Sequence, residues 1–363
     1  MRIAVVHPKV DRSGGAEHYA WVLVRELSAR GHEVHVFARR AGGLPEDVRF
    51  HRVPAVPVGR ALKTYSFWRL TSRKVPVHRF DVVQGFGKTT CQTVHRAGGG
   101  VHRAYMERQG GAAPSSYDRI VLKIEDKLFR SSQLRAIICP SRWVAREVER
   151  FYPGTAGRIH VVPNGVDTRV FRPEGRERDR TRLASERGIP PGRPWILFVG
   201  SNFRLKGLDR AVEALAHLDS AHLVVVGGGD PGPFARLATS RGCGERIHFV
   251  GRQADPAPWY RAADVLLHPT RYDPFANVCL EALACGTPVV STPENGAADV
   301  LEEHPLAGRV CGPEARALAA GIVELLSAGA KARAAARSVA EQMDVSSHVD
   351  TVERLYEETV GGR

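Results

Sequence analysis

Short apolar runs rich in β-branched residues alternate with helical patterns almost from end to end, and this restricts the fold more than any other feature. In the first half the pattern predicts strands over 3–6, 34–38, 82–84, 136–139 and 160–162. Between them the spacing predicts a helix over 16–30, with Ala20, Val24 and Leu27 on one face, and another over 141–151 with Ser141 as its N-cap. A second series follows, with strands over 195–199, 223–226, 247–250, 265–268 and 289–291 and helices over 207–218, 234–241, 258–262 and 277–284. Alternation at this spacing means parallel sheets joined by crossover helices. Two series predict an α/β chain of two Rossmann-like, doubly wound domains. The joint falls in 161–173, where Pro163-Asn164-Gly165 is turn chemistry. The expected division is therefore 1–168, 169–345 and a last helix in 346–363, for which a return to the first domain is one destination. Such sheets bind ligands beyond the carboxyl ends of their strands, so two facing each other would enclose a cleft.

Composition agrees with that size and class. The 363 residues are about twice a common domain, and 43% hydrophobic with 25% charged is ordinary for a chain with a full core. No stretch approaches the roughly 18 uncharged apolar residues of a membrane span. The opening run MRIAVVHPKV is too short for a signal peptide and reads as a strand, so a cytoplasmic chain is expected. Six cysteines form no C-x-x-C pair and sit mostly in apolar runs, which favours buried free thiols over disulfides or metal ligands. The net charge is +13. Nucleic acid, an anionic membrane face and an anionic substrate each fit it, and charge alone does not choose. A basic cluster over 175–188 fits a solvated helix or loop equally well.

Four stretches could carry chemistry. Gly14-Gly15 lies in the turn from the first strand into a helix, where glycine lets backbone approach a ligand and a helix N-terminus favours an anion; a plain turn reads the same way. Gly227-x-Gly229-x-x-Gly232 has the dinucleotide spacing, but it follows the second strand of its domain, Pro231 and Pro233 crowd it, and no acid ends the next strand. Arg204 and Lys206 fall in the loop after the first strand of the second series, at a strand carboxyl end suited to phosphate. Asp273 and Glu281 would lie about 12 Å apart on one helix, too far to act as an acid/base pair on one bond. Pro274 instead puts Asp273 in a loop and starts the helix near Ala276 or Asn277, with Glu281 one turn further in among apolar neighbours.

With the segment from Asp273 through Glu281 to Gly286-Thr-Pro288 the chain resembles glycosyltransferase family 4 and its acid-x7-Glu signature. Gly14-Gly15, Gly31-His32-Glu33-Val34, Pro163-Asn164-Gly165-Val166-Asp167 and Lys206-Gly207 fall in the family's order, so the likeness spans nearly the whole chain. Within the family the sequence is similar to the lipopolysaccharide core glucosyltransferase I group. The stretches behind that narrower likeness are 199–215, 251–269 with Arg252, and Gly85-Phe86-Gly87-Lys88.

The resemblance implies a GT-B architecture, with the first domain for the acceptor and the second for a nucleotide-sugar donor. It also implies retention of anomeric configuration. On this basis Glu281 meets the ribose hydroxyls and Asp273 the donor sugar. Backbone around Phe275, Ala276, Asn277 and Val278 meets sugar and diphosphate, and Gly14, Gly15 and Arg252 complete the donor side. Arg204 and Lys206 neutralise the departing diphosphate, a charge that grows in the transition state. No metal or other cofactor is expected, in keeping with the lack of a D-x-D motif. The chain departs from the pattern in having Asp at 273 where many members have Glu, and Ser201 where many have Arg. His95 and His102 occupy a loop read as 91–105. His95 is a catalytic candidate, His102 and Lys88 are acceptor-binding candidates, and for each histidine a structural role is the alternative.

The expected activity is transfer of a hexose from a UDP-sugar, with UDP-glucose favoured, to a saccharide or glycolipid of lipopolysaccharide core or related cell-surface glycan. The expected setting is peripheral, at the inner face of an anionic membrane. The rival readings are an epimerase or phosphorylase of the same plan, and a nucleic-acid binder. The binder lacks a Lys/Arg stripe interleaved with aromatics.

Overall fold

The computed structural model describes residues 1–108 and 113–361, so residues 362 and 363 of the expected tail lie outside it. The chain divides into two compact units, Met1–Pro163 with His348–Arg363, and Asn164–Ser347.

The first unit is built on a parallel sheet of seven strands: β1 (Arg2–Val6), β2 (Glu33–Ala38), β3 (Arg49–Arg52), β4 (Val82–Gly85), β5 (Val94–Arg96), β6 (Ala136–Cys139) and β7 (Ile159–Val161). They run in the order β3-β2-β1-β4-β5-β6-β7, and Ile3 pairs with Val34 on one side and Val82 on the other. A two-residue pair, Lys9–Val10 with Arg40–Ala41, adds a small flap. The helices are α1 (Gly15–Ala29), α2 (Arg60–Lys74), α3 (His102–Arg108), α4 (Ser116–Phe129) and α5 (Arg142–Phe151). Ser141 caps α5 by accepting from the Val144 amide, as its position predicts.

The second unit carries β8 (Trp195–Val199), β9 (His222–Val226), β10 (Ile247–Gly251), β11 (Val265–His268), β12 (Val289–Ser291) and β13 (Gly308–Val310), all parallel, in the order β10-β9-β8-β11-β12-β13. Its helices are α6 (Arg176–Arg187), α7 (Leu208–Leu215), α8 (Gly232–Ser240), α9 (Ala257–Ala262), α10 (Asn277–Ala284), α11 (Ala298–Glu303), α12 (Ala315–Ala328) and α13 (Ala330–Gln342). A parallel sheet covered on both faces needs strands that are apolar throughout. The alternation inside β8 shows why. Trp195 and Leu197 pack with Tyr260, Leu283 and Val339 on one face, whereas Ile196 and Phe198 pack with Val212, Leu215 and Ile322 on the other.

A last helix, α14 (Val345–Gly361), belongs for most of its length to the first unit. Val349, Val352, Leu355 and Tyr356 are buried, and Tyr356 donates to Gln84 Oε1 at 2.9 Å. The Gly31-His32 turn receives this helix. Gly31, at φ +81°, ends α1, and Glu353 then meets Arg30 at 2.9 Å and His32 at 2.6 Å.

Strands β3, β5 and β13 escape sequence reading for a local reason. β3 reads Arg-Phe-His-Arg and lies at the sheet edge, where no second neighbour demands apolar residues. β5 has only Val94 as an apolar residue, and its existence corrects the loop expected over 91–105. The basic cluster over 175–188 is a helix, yet not simply a solvated one. Within it Asp179 and Arg180 are buried, Arg176 and Arg180 hold Asp264 at 2.5 and 3.0 Å, and Arg261 holds Asp179 at 2.6 Å. All six cysteines are free, five buried and Cys311 half-buried.

His348 titrates against the fold. Its Nδ1 donates to the Pro163 carbonyl at 2.6 Å and its Nε2 accepts from the Tyr19 hydroxyl at 2.7 Å, so the neutral ring is fully paired. Burial first, and then the Arg96 cation, push it down from 6.5 to about 3 against the Pro163 bond. The folded ring refuses a proton that the unfolded ring takes up near 6.5. Its contribution to stability is therefore complete above that pH and declines as pH falls toward 3. His348→Gln keeps a donor and an acceptor but cannot titrate. Its unfolding midpoint is expected to start lower at pH 7.5 and to fall less steeply between pH 6.5 and 3 than that of the natural chain, as followed by circular dichroism.

Candidate active site

In a sheet ordered 3-2-1-4-5-6 the strand order reverses between the first and fourth strands, and loops there diverge to leave a binding crevice. In the second unit those strands are β8 and β11. The loop after β8 carries Arg204 and Lys206, and the loop after β11 carries Asp273. Lys206 Nζ donates to Asp273 Oδ2 at 2.5 Å, and His268 Nε2, at the end of β11, lies 3.3 Å from the same oxygen. Burial would raise the Asp273 carboxyl, but the Lys206 ammonium and the His268 imidazole outweigh it and hold the group at about 2. Asp273 is thus a fixed charge at neutral pH.

Three further ties lock the loops together. Arg271 forks onto Asp209 at 2.8 and 2.6 Å and donates to the Arg204 carbonyl at 2.7 Å. The Arg271 amide reaches the Leu205 carbonyl at 2.9 Å. Gly207, at φ +79°, lets the first loop press on the second: a Cβ there would lie 2.0 Å from the Pro269 carbonyl oxygen. Arg204 is exposed beside this junction.

The Asp273 loop leads directly into α10, which begins at Asn277 after Ala276, as expected from Pro274. Phe275 and Ala276 bury their side chains in the core, so backbone is what they offer a ligand. Glu281 is half-buried in the second turn and accepts from the Tyr260 hydroxyl at 2.7 Å. Burial raises its pKa, and the Tyr260 bond only partly opposes that.

The residue that shapes this segment, and that sequence reading missed, is Asn295. Wholly buried, its Oδ1 accepts from the Ala276 and Ala297 amides at 3.1 and 3.0 Å, while its Nδ2 donates to Ser291 Oγ at 2.9 Å. Asp273 is held on both sides of its peptide, donating to the Glu294 carbonyl at 2.9 Å and accepting from the Gly296 amide at 2.8 Å. The signal was available: Asn295-Gly296 follows β12, turn chemistry at a strand carboxyl end. Asn164 of the Pro-Asn-Gly turn likewise reaches in and donates to Asn277 Oδ1 at 2.5 Å.

The dinucleotide-like glycines serve packing. A Cβ at Gly227 would lie 1.8 Å from the Gly200 carbonyl oxygen, and one at Gly229 would lie 2.5 Å from the Phe203 ring. Arg252, exposed, stands 3.5 Å from the corresponding point at Gly228.

In the first unit the equivalent reversal lies between β1 and β4. Gly14 is the N-cap of α1, with the Glu17 carboxylate occupying the space a side chain would take, while Gly15 has nothing within 4 Å of that space. Lys88 Nζ lies 5.1 Å from the Tyr117 ring centre and the Arg60 guanidinium 3.8 Å from it. His102 meets the same ring edge-on at 6.2 Å and pairs with Asp118 at 3.0 Å. The two acceptor candidates thus converge on one tyrosine. Burial, more than the Lys88 and Arg60 charges, lowers the His102 pKa, with Asp118 opposing. His95 lies elsewhere in the unit. It sits in β5, buried, with Gln92 Nε2 donating to its Nδ1 at 3.4 Å and Phe129 against its edge, and burial pushes it down to about 3. Among the described residues no three His, Cys, Asp or Glu side chains gather as a metal-ligand set.

Two doubly wound units with this loop-and-helix device define a glycosyltransferase of the GT-B type. The chain belongs to glycosyltransferase family 4: residues 13–170 match Glycosyltransferase Family 4 and residues 179–343 match Glycosyl transferases group 1. A D-inositol 3-phosphate glycosyltransferase of Xylanimonas cellulosilytica is 31% identical over 81% of this chain and 79% of its own length. The lipopolysaccharide glucosyltransferase WaaG of Escherichia coli is 27% identical over 82% of this chain and 81% of its own. Among solved structures, WaaG superposes with a TM-score of 0.84 at 24% identity over 98% of this chain and 99% of that one. Anabaena Alr3699/HepE in complex with UDP-glucose gives 0.74 at 18% identity over 100% of both chains.

Gly207→Ala tests the loop junction. Its positive φ and the Pro269 carbonyl both oppose a side chain, so the expected loss is about 3 kcal/mol of stability. Gly15→Ala, with open space around it, is expected to stay within about 0.5 kcal/mol. Denaturant titration of the two variants compares them.

Proposed function

We propose that this chain transfers a hexose from a UDP-sugar, with UDP-glucose favoured, to a saccharide acceptor of cell-surface glycan assembly, with retention and without a metal. One observation carries the reading: Lys206, Asp273, the start of α10 and Glu281 form a single continuous device at the reversal point of the second sheet. Glu281 keeps acceptor capacity beyond its Tyr260 bond and suits the two ribose hydroxyls. The backbone amides entering α10 suit the diphosphate. An ammonium has three donors, of which Asp273 takes one, so Lys206 can hold the sugar-binding carboxylate and a phosphate oxygen together. Arg204, exposed beside the loop junction, adds the second cation as the glycosidic phosphate bond breaks. Charge then grows on the leaving oxygen, where fixed cations stabilise the transition state more than the ground state. His95 remains our catalytic candidate in the first unit, and Lys88 and His102 those for contacting the acceptor around Tyr117.

A second reading concerns the acceptor alone. The relatives at about 31% identity are named for D-inositol 3-phosphate, and the Lys88–Arg60 pairing would suit a phosphorylated polyol as well as a phosphorylated saccharide. We place the enzyme peripherally, at the inner face of an anionic membrane. No helix among the described residues is long and apolar enough to cross one.

A thermal-shift panel of UDP-, GDP- and ADP-sugars tests the donor, because a ligand that binds only the folded state raises the unfolding midpoint. The expected result is a shift with UDP-sugars alone, abolished in Glu281→Ala while its circular dichroism spectrum is unchanged. Undiminished UDP binding in that variant would sink the site. Labelled UDP-glucose incubated with phosphorylated saccharide or with inositol phosphate then identifies the acceptor from the product. Epimerised sugar or free sugar phosphate without transfer would overturn the reaction.

A further inference from the structure

The net charge of this chain is not spread evenly. Between Asp47 and Asp81 the sequence holds eight Lys or Arg and no Asp or Glu. That segment comprises β3, the loop 53–59 and α2. It contributes +8 of the total +13, leaving 44 basic against 39 acidic residues in all the rest.

The same segment exposes apolar side chains. Val56, Val58, Leu62 and Tyr65 are 39, 65, 46 and 41% exposed. Among the described residues, four of the nine exposed large apolar ones thus fall within ten positions, while Val170, Leu306 and Val323 of the second unit stand far apart in sequence. The Val56 amide donates to Ser66 Oγ at 2.9 Å, which pins the loop tip against the second turn of α2. Pro54 and Pro57 stiffen that tip. On α2 the inward face is Phe67, Trp68 and Thr71. At 3.6 residues per turn the outward stripe is then Leu62, Tyr65, Arg69 and Arg73, apolar at the start and cationic toward the end. Lys63 and Lys74 flank it.

The helix packed beside this one does not cancel the charge. In α4, Asp118 bonds the Ser115 cap and His102, Asp126 pairs with Arg130, and Glu125 accepts from the His102 and Arg103 amides and the Tyr152 hydroxyl. Lys127 of α4 instead lies 6.0 Å from the Trp68 ring centre and adds to the positive side.

We propose that the 53–59 loop and the outward face of α2 dock on an anionic lipid bilayer. Val56, Val58, Leu62 and Tyr65 enter the headgroup boundary, and Arg69, Arg73 and their lysine neighbours meet lipid phosphates. Apolar side chains ringed by cations match this partner, which offers an apolar layer beneath a negative surface. The α2 stripe corrects the expectation that no basic run interleaved with aromatics occurs. A nucleic acid, however, offers phosphates and base faces and no apolar layer for Val56, Val58 and Leu62. The proposal deepens the reading of a membrane-face enzyme by naming its surface, and it is tested without turnover.

The full chain is sedimented with vesicles of phosphatidylcholine alone, or of phosphatidylcholine with one-third phosphatidylglycerol. Binding is expected only to the second, weakened by high salt. Arg69→Gln with Arg73→Gln should lower partitioning roughly thirty-fold, and Val58→Asp with Leu62→Asp should abolish it. Val323→Asp on the second unit should change nothing. Every variant should keep its UDP-sugar thermal shift, which separates failure of this surface from failure of the donor site. Equal binding to both vesicles, or none, would overturn the proposal. So would variants that partition like the natural chain, or loss on charge removal with no effect of Val58→Asp and Leu62→Asp. RNA that binds the same face and displaces it from vesicles, or a self-associated dimer lost in the aspartate variants, would also replace the bilayer as occupant.

Discussion

The ion pair between Lys206 and Asp273 is the contact on which the architecture of the candidate site depends. It joins two loops that no backbone ladder connects, at the point where the sheet's strand order reverses. An ion pair removed from water stabilises only when its geometry is held, because desolvation costs nearly as much as the attraction returns. The surroundings supply that hold. Gly207 lets the loops touch, Arg271 staples both through Asp209 and the Arg204 carbonyl, and Asn295 fixes the peptide between Phe275 and Ala276. His268 completes the set from beneath, its Nε2 turned to the same Asp273 oxygen. The site is therefore a consequence of packing two strand ends closely.

The first unit solves a different problem. Its seven-stranded sheet is closed off by α14, the last helix in sequence, and the Gly31-His32 turn is where that helix is received. A motif shared across the family thus has a structural duty here, since His32 pairs with Glu353 of α14. Buried histidines follow the same logic. His95 and His348 are neutral and paired in the fold, and both are pushed far down by burial. They stabilise only as uncharged rings.

Much of this was legible in the sequence, and what was not has physical causes. The buried strands β6, β8 (apart from half-buried Val199), β11 and β12 and helix α10 stand where the apolar pattern and Pro274 put them, because both faces of those strands must be dry. Edge strand β3, with arginines at both ends, shows no such pattern because it has one neighbour. Asp273, Glu281 and Lys206 were visible through spacing and strand-end position. Asn295 was missed although Asn295-Gly296 after β12 reads as turn chemistry, because a turn signal does not tell that the amide side chain is buried and bonds the Ala276 backbone. The basic cluster at 175–188 misled for the converse reason: Arg176 and Arg180 look solvated until Asp264 and Asp179 arrive from elsewhere in the chain.

The two carboxylates of the signature end up with opposite electrostatics. Asp273 lies beside a cation and is held at about 2, whereas Glu281 has only a neutral phenol to offset its burial and is raised. Pairs of carboxyls pushed apart in this way are often an acid and a base acting on one bond. Here the intervening start of α10 separates them by a loop and a helical turn, so they are not placed as a pair on one bond. A charge that never lapses suits a group tied to Lys206. Glu281, by contrast, keeps one carboxylate oxygen that its Tyr260 bond does not use. The shorter Asp at 273 belongs to the same reasoning: its oxygen must reach both Lys206 and His268 from a peptide clamped on either side, and a longer side chain would have to fold back to do so.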